Sequence, residues 1–140
     1  MRARAVNPRK PHELTKAEAA WANFPWFVQG FEHRRYEAMT LRLGESRYTP
    51  DFAGVCVKTG QLCLFEIKAS AHRSAFTEAA RLKLKAFSTE FGELRFFVCW
   101  PVVGSRMNRW SVTEVSNRSC RVEPKPGPLP GQMSFVEKTE

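Results

Sequence analysis

The chain lacks the features of a zinc protein, a disulfide-bonded secreted protein and a membrane protein. Its four cysteines, Cys56, Cys63, Cys99 and Cys120, include no CxxC pair, and none lies at a zinc-ligand spacing from a histidine. No stretch approaches the roughly 20 apolar residues that a membrane helix needs, and the basic N-terminus has no apolar run of a secretory signal. We therefore expect a protein of a reducing cytoplasm, with free thiols and no membrane partner.

Acidic residues are scarce relative to basic ones. The 140 residues include 22 Lys plus Arg against 14 Asp plus Glu, which gives a formal net charge of +8 and a pI near 9.7. This excess favours a polyanionic partner such as nucleic acid, although ribosomes, acidic proteins and membrane surfaces also attract basic proteins. Hydrophobic residues make up 43% of the chain and aromatic residues 12%, which predicts one folded domain.

Three segments of different composition follow one another along the chain. Residues 1–11 carry charge and proline but little that could be buried, which predicts a flexible basic arm. Residues 12–115 contain the apolar periodicity of helices and strands and are expected to form the domain. In residues 116–140, prolines at alternate positions from 124 to 130 exclude a helix or a central strand, so we expect a proline-rich, disordered tail.

Apolar periodicity first predicts a helix and then three strands. Residues 15–24 combine good helix formers with one apolar face, and the helix should end before Pro25 because proline disfavours helical backbone in the preceding residue. Residues 37–43 alternate as a strand does, and two runs rich in Val, Leu, Phe and Ile follow at residues 48–57 and 62–68. We expect these three strands to form an antiparallel meander.

A second helix and a buried strand complete the predicted core. Residues 74–88 have helical periodicity, with Ser74 as the expected N-cap. Residues 95–100 form a nearly continuous apolar run, typical of a strand buried on both faces, and residues 109–115 predict one further edge strand. Because a helix between two such strands is the crossover of an α/β unit, the sequence predicts an α/β fold.

The hairpin between the second and third predicted strands brings three charged residues together. A two-residue tip of Thr59 and Gly60 sets a register in which Asp51 pairs with Lys68. Opposed residues point to one face, so Asp51, Glu66 and Lys68 should project together. Paired carboxylates suit Mg²⁺ or Mn²⁺, and the lysine could activate a water or neutralise charge on a phosphoryl oxygen.

A purely structural role for these charges is the alternative. Charged positions in strands are usually solvent-exposed pairs at a sheet edge, and Asp51 could be a turn residue after Pro50. Against this, the apolar residues around Glu66 and Lys68 indicate an interior strand, where an unpartnered carboxylate or ammonium group would be costly. We therefore favour a functional role for the three charges.

The two halves of this constellation resemble the signature of the PD-(D/E)XK nuclease superfamily. The first half is Tyr-Thr-Pro-Asp-Phe at residues 48–52 and the second is Phe-Glu-Ile-Lys at residues 65–68, with 14 residues between the two acids. The resemblance covers about residues 13–100. It implies a restriction-endonuclease-like α/β core, in which a mixed central β-sheet is flanked by α-helices. Ala69 departs from the pattern, because many relatives have glycine directly after the motif lysine.

The resemblance also implies roles for individual residues. Asp51 and Glu66 would hold Mg²⁺ or Mn²⁺, and Lys68 would complete the catalytic site. Glu18 on the first helix is similar to the acid that an earlier helix often supplies in this superfamily, and would be a further catalytic and metal-binding residue. Its rival explanation is a capping box with Thr15 at the start of its own helix.

The implied activity is that of a metal-dependent endodeoxyribonuclease. The spacing of 33 positions from Glu18 to Asp51 resembles that of the bacteriophage endonuclease I-like Holliday-junction resolvases, which cut branched DNA as dimers. A simple endonuclease and a DNA-recombination partner are open readings, and a phage source would place the protein in bacterial cytoplasm. The alternatives are a non-catalytic nucleic-acid-binding protein on the same scaffold and a partner-binding protein. Candidate DNA contacts, unless they form ordinary solvated faces, are Arg34, Arg35, Arg81, Lys83 and Lys85.

Overall fold

A mixed β-sheet with helices on both faces forms the frame of the protein. The computed structural model describes residues 13–70, 77–115, 122–123 and 135–137. The helices are α1 (Lys16–Ala22), α2 (Pro25–Gly30) and α3 (Glu78–Glu90). The strands are β1 (Phe31–Tyr36), β2 (Leu41–Leu43), β3 (Ser46–Tyr48), β4 (Phe52–Cys56), β5 (Leu62–Ile67), β6 (Arg95–Pro101), β7 (Arg109–Val115), β8 (Val122–Glu123) and β9 (Phe135–Glu137).

The five longest strands lie in the order β1-β4-β5-β6-β7, and the short strands β8 and β9 pair with β7. β4 is antiparallel to both β1 and β5, β6 is parallel to β5, and β7 is antiparallel to β6. Two parallel neighbours need a crossover connection, which contains α3. The mixed α/β class predicted from the sequence is confirmed.

Aromatic side chains join α1 and α2 to one face of the sheet. Trp21 of α1 is fully buried, and its ring centroid lies 5.7 Å from that of Phe65 in β5 and 5.1 Å from that of Trp110 in β7. Phe27 of α2 packs with its ring centroid 5.2 Å from that of Trp21. These contacts hold α1, and with it Glu18, against the sheet.

The opposite face of the sheet is covered by α3 and by a separate hairpin of β2 and β3. Leu84 and Phe87 of α3 are buried there, and the hairpin contributes Leu41, Leu43 and Tyr48 to the same cluster. The ring centroids of Tyr48 and Phe87 are 5.7 Å apart, so the hairpin and the helix are in direct contact. Together they flank the end of β5.

The prediction of the first strand of the meander is wrong. Residues 37–43 were expected beside the second strand, but β1 occupies that place and pairs with β4. Four consecutive residues of β1, 32–35, are exposed at the sheet edge, so this strand has no apolar alternation that a sequence pattern could reveal. The apolar residues of the segment 37–43 do pack together, but within and beside the β2–β3 hairpin.

The register of the β4–β5 hairpin differs from the prediction by two residues. The ladder closes on a four-residue turn, residues 57–60, instead of a two-residue tip. A shift of two keeps every side chain on its predicted face, because side chains alternate with a period of two. Continued by one residue, the ladder places Asp51 opposite Glu66 rather than opposite Lys68.

The helices begin and end close to the expected positions. α1 ends before Pro25, as predicted, and Pro25 then opens the unpredicted helix α2, since proline fits the first turn of a helix. α3 has Thr77 as its N-cap, with the hydroxyl accepting the Ala80 N–H, whereas the expected cap Ser74 lies outside the described residues. None of the helices described is long and apolar enough to cross a bilayer.

The two predicted terminal segments lie largely outside the residues that the structure describes. Residues 1–11, expected as a flexible arm, are not among the described residues, and of the tail 116–140 only β8 and β9 are. The strand predicted over 109–115 forms as β7, and these two short strands pair with it. β7 therefore has neighbours on both sides along part of its length.

The aromatic contacts of α1 predict a large loss of stability on truncation. Trp21→Ala should lower the free energy of unfolding by about 3–5 kcal/mol, because it removes the apolar contacts of a fully buried indole and leaves a cavity in the core. Denaturant unfolding measures this. Val103→Ala, at a side chain 79% exposed, is the control and should change it by less than about 0.5 kcal/mol. Equal effects of the two changes would contradict the packing of α1.

Candidate functional site

Asp51 is fixed between β1 and β5. Its backbone carbonyl accepts a hydrogen bond from the Glu37 N–H at 2.9 Å, and its Oδ2 accepts one from the Ile67 N–H at 2.7 Å. Pro50, the residue before it, is fully buried. The backbone and the carboxylate are therefore both held, and the carboxylate lies against the strand that carries Glu66.

Glu66 contacts two other side chains of the site. Its Oε1 accepts a hydrogen bond from the Tyr48 hydroxyl at 3.0 Å, and its Oε2 lies 3.3 Å from the Lys68 Nζ. The side chains of Glu66 and Lys68 are only 21% and 17% exposed. β5 lies between β4 and β6, and the Lys68 N–H continues the parallel ladder to the Cys99 carbonyl at 2.8 Å. The pair is therefore in the sheet interior, and not on an edge strand.

Glu18 lies in the α1 layer and caps its own helix. Its Oε1 accepts the Thr15 N–H at 2.9 Å, and the Thr15 hydroxyl accepts the Glu18 N–H at 3.1 Å. The same carboxylate oxygen accepts a hydrogen bond from the Tyr36 hydroxyl at 3.1 Å. The capping role is thus observed. Glu18 is also buried, and its charge raises the pKa of Asp51, so it lies within electrostatic reach of the site.

Burial raises the pKa of the Asp51 carboxyl from 3.8 to about 7, and the neighbouring Glu66 carboxylate is the next largest cause. Glu18 adds a smaller effect in the same direction. The hydrogen bond from Ile67 and the positive charge of Lys68 lower the pKa but do not cancel the rise. The protein without a bound cation therefore holds two carboxylates that resist simultaneous ionisation, and a nearby cation would stabilise the ionised pair.

The oxygen atoms of this pair suit a hard divalent cation. Asp51 offers a carboxylate just before β4 and Glu66 offers one from β5. Mg²⁺ is commonly bound through one or two carboxylates, with water in its other positions. Lys68 has no lone pair to give while it is charged. Over the part of the chain that the structure describes, no group of three or more His, Cys, Asp or Glu side chains could hold a metal ion. Glu18 is not brought into one ligand set with the other two acids.

Two tyrosines for which the sequence patterns predict no role contact the acids of the site. They are the only tyrosines in the chain, and each donates its hydroxyl to a candidate acid, Tyr36 to Glu18 and Tyr48 to Glu66. Burial raises the pKa of Tyr48 well above its ordinary value, so its phenol stays protonated and donates at neutral pH. The need of a buried phenol for a hydrogen-bond acceptor is the signal that could have identified Tyr48.

The candidate DNA contacts on β1 lie at the exposed edge of the sheet. The pairing of β1 with β4 is irregular around His33, which has a φ of +55°, and Arg34 and Arg35 follow it. The Arg34 guanidinium donates to the Val28 carbonyl at 2.7 Å and to the Phe31 carbonyl. Arg34 therefore ties α2 to β1, whereas the structure gives Arg35 no comparable tie to α2 and leaves it exposed.

The three basic candidates on α3 face different sides of that helix. Lys83 lines a pocket of about 160 Å³ together with Glu66 and Lys68. Arg81 and Lys85 are four positions apart and so share another flank of the helix. Of the three, Lys83 alone lines the pocket that contains the carboxylate and the lysine of the motif.

Comparisons of the chain with protein-family models, with curated proteins and with solved structures find no match. Functional inference therefore depends on the residues of this chain. The relevant observations are the opposed acids Asp51 and Glu66, the lysine 3.3 Å from one of them, and the motif in which all three lie.

The raised pKa of Asp51 predicts how stability depends on pH. The carboxyl titrates near 7 in the folded protein and near 3.8 when unfolded, so stability without divalent ions should fall as pH rises from about 4 to 7. Asp51→Asn keeps the side chain's size and removes the titration. It should unfold with a free energy about 1–3 kcal/mol higher than wild type at pH 8, and with a smaller difference at pH 4.

Urea unfolding in EDTA at pH 4, 6 and 8 measures this difference. Glu45→Gln, at an exposed position in the β2–β3 turn, is the control and should show no comparable trend. A variant Asp51→Asn that is less stable than wild type at pH 8 would show that the ionised carboxylate is well accommodated without a cation.

Proposed function

We propose that this protein is a metal-dependent endonuclease of the PD-(D/E)XK type, which hydrolyses phosphodiester bonds in DNA. The observation that carries the proposal is the convergence of Asp51, Glu66 and Lys68 at one end of the β4–β5 hairpin. The three residues are those of the motif, they are largely shielded from solvent, and two of them are directly paired. Such a set is costly for a structural role alone.

The order of elements also supports the proposal. α1, the antiparallel strands β1, β4 and β5, then α3 and the parallel strand β6 form a mixed sheet flanked by helices. This is the kind of core that the motif resemblance implies, with its two acids on the hairpin of β4 and β5. The helix α3 follows the motif lysine in the chain and places Lys83 beside Glu66 and Lys68.

The site residues have distinct roles in the proposed reaction. Asp51 and Glu66 would bind Mg²⁺ or Mn²⁺, which when bound supplies polarisation of the phosphate and a water of lowered pKa. Tyr48 fixes one carboxylate oxygen of Glu66, and the Ile67 N–H fixes one of Asp51. Lys68, beside Glu66, is placed to orient the attacking water or to stabilise negative charge on a phosphoryl oxygen.

Glu18 and the basic surface have supporting roles in this proposal. Glu18 adds negative charge that favours cation binding, while the net charge of +8 attracts the DNA backbone. The proposed substrate includes branched DNA, and a dimer with one site per subunit would cut two strands. The residues proposed to contact phosphates are Arg34, Arg35, Arg81, Lys83 and Lys85.

A non-catalytic nucleic-acid-binding protein is the second candidate function. The observation that favours it is that Glu18 is occupied by Thr15 and Tyr36 and that the described residues include no three-ligand metal group. The presence of Asp51 and Glu66 as a mutually destabilising pair speaks against it, since DNA binding alone does not require a buried acid of raised pKa.

Cleavage assays on defined DNA substrates test the proposed function. Wild type, Asp51→Asn and Lys68→Ala are compared on linear duplex, single strands and a four-way junction, each with Mg²⁺, Mn²⁺ or EDTA. We expect metal-dependent cutting by wild type and a loss of at least about a hundredfold in both variants. Lys58→Ala, in the exposed turn at the other end of the hairpin, is the control for the loss of one positive charge.

The assay separates the two candidate functions. Faster cutting of the junction than of linear duplex would support a resolvase, and equal rates would support a general endonuclease. Tight DNA binding without cutting under any metal would contradict the enzyme and leave the binding protein.

The hydrogen bond from Tyr48 to Glu66 predicts a positioning role. Tyr48→Phe should lower the rate of DNA cleavage about tenfold and raise the Mg²⁺ concentration needed for half-maximal rate, because it frees the carboxylate that would bind the ion. The measurement is the cleavage rate over a range of Mg²⁺ concentrations, together with denaturant unfolding. Tyr36→Phe, which removes the hydroxyl that donates to Glu18, should act less strongly. An unchanged Mg²⁺ requirement in Tyr48→Phe would remove Tyr48 from the site.

A further inference from the structure

A pocket lies between the end of β5 and the helix α3, next to the carboxylate and lysine of the motif. Its volume of about 160 Å³ corresponds to roughly five water molecules, which is enough for a phosphate group with part of a sugar. Its walls come from three parts of the chain, the β2–β3 hairpin, β5 and α3. The lining residues are Tyr48, Glu66, Lys68, Ala80, Lys83 and Leu84.

The charges of the pocket select an anion. It contains two lysines and one carboxylate, and Glu66 already pairs with Lys68 at 3.3 Å. Lys83 on the opposite wall therefore adds the excess positive charge. The remaining wall is formed by Ala80, Leu84 and the ring of Tyr48, which is apolar and suits the carbon face of a deoxyribose. Phosphate beside sugar is the repeating unit of a DNA strand.

The rotation of the helix separates Lys83 from its basic neighbours. Leu84 is buried against the sheet, and each residue of an α-helix turns by about 100°. Lys83 and Lys85, one position before and one after Leu84, therefore lie on opposite flanks of α3. Only Lys83 is on the flank that faces the motif residues, although sequence charge alone does not distinguish the two.

We propose that this pocket binds the phosphodiester group next to the scissile phosphodiester on the same DNA strand, with Lys83 as its main positive contact. The inference rests on the proposed nuclease function and adds to it a second, fixed point of contact on the same strand. Lys68 is engaged at the reacting phosphate, so Lys83 sets the position of the strand along the site. This positioning makes Lys83 a determinant of where the strand is held relative to Asp51 and Glu66.

Phosphate-by-phosphate neutralisation of the DNA tests the pocket. A four-way DNA junction is prepared with a single methylphosphonate at each position in turn, and its binding is measured in Ca²⁺ and its cleavage in Mg²⁺. Wild type and Lys83→Ala are compared with two controls: Lys85→Ala on the other flank of α3, and Lys58→Ala in the distant hairpin turn. Unfolding of each variant verifies that the fold is retained.

We expect Lys83→Ala to weaken DNA binding about tenfold and to reduce the slope of log affinity against log salt by about 1. One methylphosphonate next to the cleaved bond should weaken wild type by a similar factor and should have little further effect on Lys83→Ala. The same methylphosphonate should keep its full effect in Lys85→Ala and Lys58→Ala. If only Lys83→Ala removes the effect of that one methylphosphonate, the lysine contacts that phosphate, because the loss of a positive charge elsewhere would leave the effect in place.

The outcomes for the pocket and for the nuclease are separate. If wild type cuts DNA but no methylphosphonate couples to Lys83, or if Lys85→Ala shows the same coupling, the pocket proposal is overturned and the nuclease remains. If the coupling is found in binding while no metal supports cutting, the phosphate pocket stands and the nuclease function fails.

Discussion

The opposition of two carboxylates at one end of the β4–β5 hairpin is the constraint on which this site depends. Asp51, the residue before β4, lies opposite Glu66 of β5 when the ladder is continued by one residue, and burial together with repulsion from Glu66 raises the pKa of Asp51 to about 7. Such an arrangement is unfavourable in the absence of a cation, and Lys68 offsets it only in part. A divalent ion bound between the two carboxylates would attract both of them and outweigh their repulsion, which gives a physical reason for these residue types to occur together.

The rest of the fold holds this pair in place from both sides of the sheet. Trp21 anchors α1 on one face, and the β2–β3 hairpin with α3 covers the other. One tyrosine donates to each acid, Tyr36 at the end of β1 to Glu18 and Tyr48 of the β2–β3 hairpin to Glu66. The carboxylates are thus oriented by groups whose own positions are set by aromatic packing, and a rigid arrangement of this kind is what a metal site requires.

Sequence patterns predicted the parts of the fold that depend on regular apolar spacing. Periodicity predicts the buried strands β5 and β6, the crossover helix α3 and the shared face of the three motif charges. The predicted register is wrong by two residues, but the predicted face is unchanged because side chains on a strand return to the same face every second residue. β1 was missed because its exposed middle carries no apolar signal. Tyr36 and Tyr48 were missed as site residues because their partners are 18 positions away and only the folded chain brings them together.

Proton release on metal binding tests the central claim most directly. Calorimetric titration of Mg²⁺ into the protein, in buffers of different ionisation enthalpy, counts the protons released per ion bound. Because the pKa of Asp51 is raised to about 7, wild type should release clearly more protons at pH 6 than at pH 8.5, and Asp51→Asn should bind weakly with no such release. Failure of wild type to bind Mg²⁺ or Mn²⁺ at millimolar concentration, or binding that Asp51→Asn leaves unchanged, would contradict the account.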